Sequence, residues 1–231
     1  MLGIIGAMDQ EVAKIKEQMT EIEVISRAGM EFYKGILSGA EVVVVKSGIG
    51  KVNAAACTQI LADHFQPEAI INTGIAGSLC AKIDIGDIVL STDVLHHDVD
   101  AVNFGYPLGQ IPGMDTLSFG ADAELRRKVK EICETVNPDI HVYEGRIVSG
   151  DQFVSEKSTK DKIISWTQGL CTEMEGAAIG QTAYLNRIPF LIVRAISDKA
   201  DDSATMDYAE FEAKAIEHTV GVMLATAALY A

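Results

Sequence analysis

Four carboxylates in this chain stand where an apolar run gives way to something polar, and that placement makes them candidates for chemistry. Asp198 follows Ser197 at the end of the apolar run 190–196, which has the composition of a strand buried on both faces. Glu173 and Glu175 bracket Met174 at the start of an Ala-rich segment that reads as a helix. Glu11 falls in the first turn of a helix that follows a short apolar run, 2–5, closed by Gly6. In open α/β sheets ligands bind just beyond the carboxyl ends of strands, where a carboxylate can serve as general acid or base. Each acid also has a plain structural reading: acids favour a helix N-terminus, and Asp198 can cap the helix after it. Two residues apart on a helix do not face the same way, so at most one of Glu173 and Glu175 points into a given pocket.

The elements that would position these residues follow from periodicity and punctuation. Run 2–5 predicts a buried first strand, and Asp9 the N-cap of a helix with Val12, Ile15 and Met19 inward. Residues 23–46 predict two or three strands, around Val24 and Ile25, over 32–37 and over 42–45, with Ser38-Gly39 as a turn. The S-G-I-G-K stretch at 47–51 leads into an Ala-rich helix over 52–65. It lacks both the Walker and the G-x-G-x-x-G spacings, so close backbone approach explains its glycines better than nucleotide phosphates do. A strand over 69–72 opens into T-G-I-A-G-S at 73–78, which suits a tight turn or a flat ligand lying on the backbone.

A strand over 88–95 ends on His96-His97-Asp98. Neighbours on a strand face opposite ways, and metal sites need three or four converging ligands, so this trio argues poorly for a metal. The stretch 103–117, with Phe104, Tyr106, Pro107 and Pro112, predicts a long irregular loop of the kind used in function or at interfaces. Then come a helix over 121–135, a strand over 142–148 running into S-G-D-Q-F-V, and a helix over 158–166. A C-terminal helix over 208–229, cored by Phe211, Ala215, Ile216, Val220 and Leu224, ends the chain. This order predicts one α/β domain over 1–231, with a central mixed, twisted sheet flanked by helices on both faces.

Composition narrows the function classes. The chain has 231 residues, 48% of them apolar and 23% charged, as in ordinary soluble domains. A net charge of −14 argues against nucleic acid, whose backbone needs clustered Lys and Arg. No run approaches the length of a membrane span, and Asp9 and Glu11 so near the apolar start argue against a signal peptide. Cys57, Cys80, Cys133 and Cys171 are widely spaced with no C-x-x-C, so free thiols in a reducing, cytoplasmic setting are expected.

Six stretches together resemble one family. They are G-I-I-G-A-M-x-x-E at 3–11, K-S-G-I-G-K-V-N-A-A at 46–55, I-N-T-G-x-A-G at 71–77, V-S-G-D-x-F at 148–153, E-M-E at 173–175 and R-A-I-S-D at 194–198. In this order and spacing they are similar to the bacterial 5′-methylthioadenosine/S-adenosylhomocysteine nucleosidases of the nucleoside phosphorylase superfamily. The resemblance implies a nucleoside phosphorylase-like three-layer sandwich. It also implies hydrolysis of methylthioadenosine and S-adenosylhomocysteine, and of 5′-deoxyadenosine, to adenine and a 5-substituted ribose, in methionine salvage.

The resemblance assigns roles residue by residue. Glu11 would activate the attacking water and Asp198 would protonate adenine N7. Glu175 would hold the ribose hydroxyls, with Met174 packed on the sugar. Phe153 would stack on adenine and the Val154 backbone would read the purine edge. Arg194 and Ser197 would position the ribose end and the catalytic aspartate. Ile49, Ala76, Gly77 and Met8 would line the substrate site. Phe104 and Pro112 would be lent to a neighbouring subunit's 5′-alkylthio pocket, implying a homodimer, and Tyr208 stands where the family usually has a phenylalanine closing that pocket. No cofactor, metal, nucleic acid or membrane is implied; the partners are the nucleoside and water.

One position departs from the family pattern: Ile75 stands where related enzymes often carry Ser. Three rivals remain at the level of sequence. A phosphorylase would need a cationic phosphate site, yet 6–11 and 72–78 hold no Arg or Lys. A hydrolase of another nucleoside, such as a futalosine-type compound, would differ at Ile75 and in the 103–117 loop. A non-catalytic nucleoside-binding protein would have no use for the complete set Glu11, Glu175 and Asp198.

Overall fold

The computed structural model describes residues 1–201 and 204–231. Its sheet comprises β1 (Leu2–Gly6), β2 (Thr20–Arg27), β3 (Met30–Leu37), β4 (Ala40–Lys46), β5 (Ala69–Ser78), β6 (Ile88–His96), β7 (Phe119–Gly120), β8 (Val142–Ser149), β9 (Cys171–Glu173) and β10 (Phe190–Asp198). The helices are α1 (Asp9–Glu17), α2 (Lys51–Ile60), α3 (Ala123–Val136), α4 (Lys157–Thr167), α5 (Gly176–Asn186) and α6 (Ala204–Ala227). A π-helical turn, Leu61–Phe65, continues α2.

Strand alternation makes the two-faced core. Leu2 and Ile4 of β1 and Val42 and Val44 of β4 pack on one side with Val12 and Ile15 of α1, Val129 of α3 and Ile216 of α6. Ile5, Val43 and Val45 pack on the other side with Ala54 and Cys57 of α2 and Ile179 and Ala183 of α5. Each such fully buried Val, Leu or Ile contributes about 1.5–3 kcal/mol, so a one-residue register slip would forfeit a whole face.

The strands run β10-β6-β8-β9-β5-β1-β4-β3-β2, with β7 on β6 and a further pairing of β10 with β5. The sheet is therefore mixed, and its β5, β10, β6, β8 and β9 form a closed circuit. β5 is the hub: it pairs in parallel with β1 and β10 and, at Gly77 and Ser78, antiparallel with β9. The β10–β5 register shifts between Ile196 and Asp198, so Asp198 faces Gly77 across an irregularity at Ser197. Such bulges re-aim a side chain at a strand end.

Four sequence expectations are corrected. The N-cap of α1 is Met8, whose N–H is accepted by the Glu11 carboxylate at 2.9 Å, while Asp9 pairs with Lys46 at 2.8 Å. The 73–78 segment is not a turn but the second half of β5, buried throughout. Glu173 closes the short strand β9 instead of opening a helix, and Glu175 sits at the N-cap of α5. In α6, Ala215 and Ile216 are buried, but Phe211 is only half-buried beside a separate surface cavity.

Candidate active site

Glycines in β5 let two carboxylates approach its backbone. A Cβ on Gly74 would fall 2.5 Å from Glu11 Oε1, and one on Gly77 would fall 2.7 Å from Asp198 Oδ1. Glu11 is then held by backbone donors: the amides of Ala7 and Met8 donate to its Oε2 at 2.6 and 2.9 Å, and that of Ile75 to its Oε1 at 3.3 Å. Asp198 accepts the Ala200 amide at 2.7 Å and the Ser197 hydroxyl at 2.8 Å. Glu175 accepts the Gly50 amide at 2.8 Å. Gly50 has φ +98°, a left-handed value that favours glycine, so the S-G-I-G-K turn serves to bring a backbone N–H to that carboxylate.

These groups meet in one cavity of about 320 Å³. Of the residues singled out from the sequence, Met8, Glu11, Ile49, Ala76, Gly77, Phe153, Met174, Glu175, Ser197, Asp198 and Tyr208 line it. A smaller recess shares Gly77, Phe153, Met174 and Asp198 with it and adds Val154. Phe153 is half exposed and packs edge-on against Tyr208, with ring centroids 5.8 Å apart. Ile75, the departure from the family pattern, lines the cavity as an apolar side chain beside Glu11. Phe104 and Pro112 do not line it; Phe104 is 83% exposed on the 103–117 loop.

Glu173 and Glu175 both line this cavity, contrary to the expectation of one only, because they do not share a helix. Their tasks differ. Glu173 forms a buried ion pair with Arg194 and accepts from the Ser149 hydroxyl and the amides of Glu175 and Gly176. Arg194, 1% exposed, lies behind the wall, also bonded to Asn72, with Glu175 Oε2 3.9 Å away. Asn72 and Ser149 were not singled out in the sequence. The available signal was a polar residue inside, or closing, an otherwise apolar strand.

Burial dominates the electrostatics. It pushes the Glu11 carboxyl above its ordinary value, against the pull of Arg194 and of the three amides. It pushes Asp198 up as well, opposed by the Ala200 amide and the Ser197 hydroxyl. Glu175 is raised by burial and by repulsion from Glu173. Burial disfavours the Arg194 charge, but Glu173, Glu175 and Glu11 together hold it above its ordinary value. Among the described residues lining the cavity there is no Lys or Arg.

Two of the His96-His97-Asp98 trio are engaged elsewhere, while the buried His97 Nε2 has no hydrogen-bond partner among the described residues. Asp98 pairs with Lys51 at 2.6 Å and accepts the Asp151 amide at 3.0 Å, while His96 Nε2 lies 3.1 Å from Gln181 Oε1. Among the described residues, no three His, Cys, Asp or Glu side chains are grouped to hold a metal ion. No helix among them is long and apolar enough to cross a membrane.

Comparison with known proteins gives a consistent picture. A family model described as the phosphorylase superfamily matches residues 1–228. A 5′-methylthioadenosine/S-adenosylhomocysteine nucleosidase of an Exiguobacterium species is 43% identical over 97% of each chain. The crystal structure of such a nucleosidase from Neisseria meningitidis, in complex with methylthio-immucillin-A, superposes with a TM-score of 0.94 at 36% identity, covering 99% of this chain and 98% of that one. Another from Colwellia psychrerythraea, in complex with adenine, gives 0.95 at 37% identity, with 99% and 95% covered.

Proposed function

The chain belongs to the phosphorylase superfamily and, within it, to the 5′-methylthioadenosine/S-adenosylhomocysteine nucleosidases, and we propose that its cavity hydrolyses the N-glycosidic bond of those two nucleosides, releasing adenine and a 5-substituted ribose. One observation carries the choice of hydrolysis: a single cavity gathers Glu11, Glu175 and Asp198 with no Lys or Arg among its described lining residues. A phosphorylase needs a cation for phosphate. Here Arg194 is buried behind the wall and paired with Glu173, and Glu11 would repel the anion.

The proposed roles follow the chemistry of the bond. As C1′–N9 breaks, positive charge develops at C1′ and negative charge on the purine. Asp198 gives its proton to N7 so that adenine leaves neutral, and the upward push on its carboxyl keeps that proton available. Glu11 takes a proton from water as the water oxygen bonds C1′; its three amide partners fix the carboxylate for that attack. Two carboxylates dividing acid and base work is the logic of glycoside hydrolysis. Glu175 holds the ribose hydroxyls and Met174 packs on the sugar. Phe153 stacks on the base, the Val154 backbone reads its edge, and Arg194 and Ser197 hold the carboxylates in place.

Two further readings go with this one. Phe104 and Pro112 are exposed on a loop outside the cavity, which supports a homodimer in which they complete the neighbour's pocket. Sedimentation as a fully active monomer at assay concentration would remove that reading. The four cysteines are free, which suits a reducing cytoplasm; fractionation with secreted proteins would remove that one. The test of the function itself offers methylthioadenosine, S-adenosylhomocysteine, a futalosine-type nucleoside and inosine, with and without phosphate. Free 5-substituted ribose from the first two, at a rate indifferent to phosphate, is expected; ribose 1-phosphate would overturn hydrolysis.

A further inference from the structure

With the purine in the recess beside Asp198 and the ribose at Glu175, the 5′ substituent falls to the wall that remains. Met8, Ile49 and Tyr208 line the main cavity but not the recess. This wall is not uniformly apolar. The Tyr208 hydroxyl donates to Glu212 Oε1 at 3.0 Å, one turn along α6, and lies 3.4 Å from Met8 Sδ. A phenol has one proton, so donation to a carboxylate leaves the oxygen's lone pairs for an N–H donor. Glu212 is half-buried, and among the described residues no cation forms an ion pair with it. The cavity also carries Glu11 and has no Lys or Arg among its described lining residues.

From this we infer that Tyr208 and Glu212 form a specificity subsite for a cationic group on the 5′ substituent. The chemistry it fits is the α-ammonium of an amino-acid tail, such as that of S-adenosylhomocysteine, as opposed to a bare methylthio group. The inference rests on the nucleosidase reading and deepens it. Tyr208 Oη accepts one ammonium N–H, and the Glu212 carboxylate behind it supplies the charge. The apolar flank of Met8 and Ile49 takes the thioether carbons, while the tail's own carboxylate is left toward solvent.

The test measures kcat and KM separately for methylthioadenosine, S-adenosylhomocysteine and the deaminated analogue of the latter, which keeps the carboxylate but lacks the ammonium. In Glu212→Gln the preference for S-adenosylhomocysteine over both other nucleosides falls roughly tenfold, the low end for a hydrogen bond to a charged group, and it falls through KM. Tyr208→Phe moves the same ratio in the same direction. Raising salt weakens the wild-type preference, since a half-exposed charge is screened within about 10 Å at 0.1 M. Equal losses on all three nucleosides, or no change in their ratio, overturns the subsite. A wild-type protein that hydrolyses none of the three overturns the nucleosidase reading beneath it, a distinguishable outcome.

Discussion

Burial lifts the carboxyls of both Glu11 and Asp198, yet the two proposed roles need opposite protonation states. Asp198 works protonated, so Asp198→Asn removes the leaving-group acid while keeping most contacts: kcat falls about 10²–10⁴-fold with nucleoside binding largely retained. Single-turnover kinetics and a binding isotherm on the same variant check this; near-normal turnover would sink the acid role. Glu11 works ionised, so activity is present above its folded pKa and lost below it. Because that pKa lies above the ordinary 4.5, the acid limb of kcat/KM is expected above pH 4.5. Glu11→Gln should erase water attack by a comparable factor and remove that limb from the residual rate. A wild-type limb at or below 4.5 would show that another group carries it.

At the scale of elements, β5 matters because of what it lacks. A methyl at residue 77 would lie 2.7 Å from Asp198 Oδ1 and 2.8 Å from Ala200 Cβ, pressing on the bulge that aims the acid. Gly77→Ala is therefore expected to cost about 1–3 kcal/mol of stability, the range for overpacking, and to lower kcat; a chemical melt and a rate assay read both. A variant as stable and active as wild type would mean that Asp198 is not held by that contact. The same strand marks where the sequence was hard to read. Gly74 and Gly77 look like turn residues, but in β5 they are strand residues whose missing Cβ atoms admit carboxylates, a tertiary fact with no local trace. Likewise β7 and β9, two and three residues long, are too short to display a period of two. The longer elements were legible because continuous apolar runs, as in β1 and β4, and helical spacing, as in α3, extend over several residues. Glu11 and Asp198 were legible from their places at strand ends. The pairing of Glu173 with Arg194 was not, because the two meet only when β9 and β10 are both joined to β5.

At the scale of the whole molecule, the site is a cost to the fold that the pH dependence of stability should expose. Asp198 is buried, and burial raises its carboxyl above the 3.8 it has when unfolded. A group whose folded pKa is raised holds its proton more tightly in the native state. Its contribution to stability is thus fully present below the unfolded value and is lost as pH rises through the folded one. At neutral pH, well above the unfolded value, the buried carboxyl therefore weighs against folding. Asn at this position has nearly the same shape, its carbonyl oxygen can still accept the Ala200 amide, and its amide can donate to Ser197 Oγ. Asp198→Asn should therefore be more stable than wild type at pH 7 by about 0.5–2 kcal/mol, the usual gain when a functional group is traded for stability. For a chain of this length that is a rise in Tm of about 2–4 °C per kcal/mol. The gain should shrink as pH falls toward 3.8 and the wild-type carboxyl takes up its proton. Melts of both proteins at one protein concentration across pH 4–8 measure it. A difference that stays constant with pH would assign it to packing, and one of opposite sign would mean that the hydrogen bonds from Ala200 and Ser197 outweigh burial.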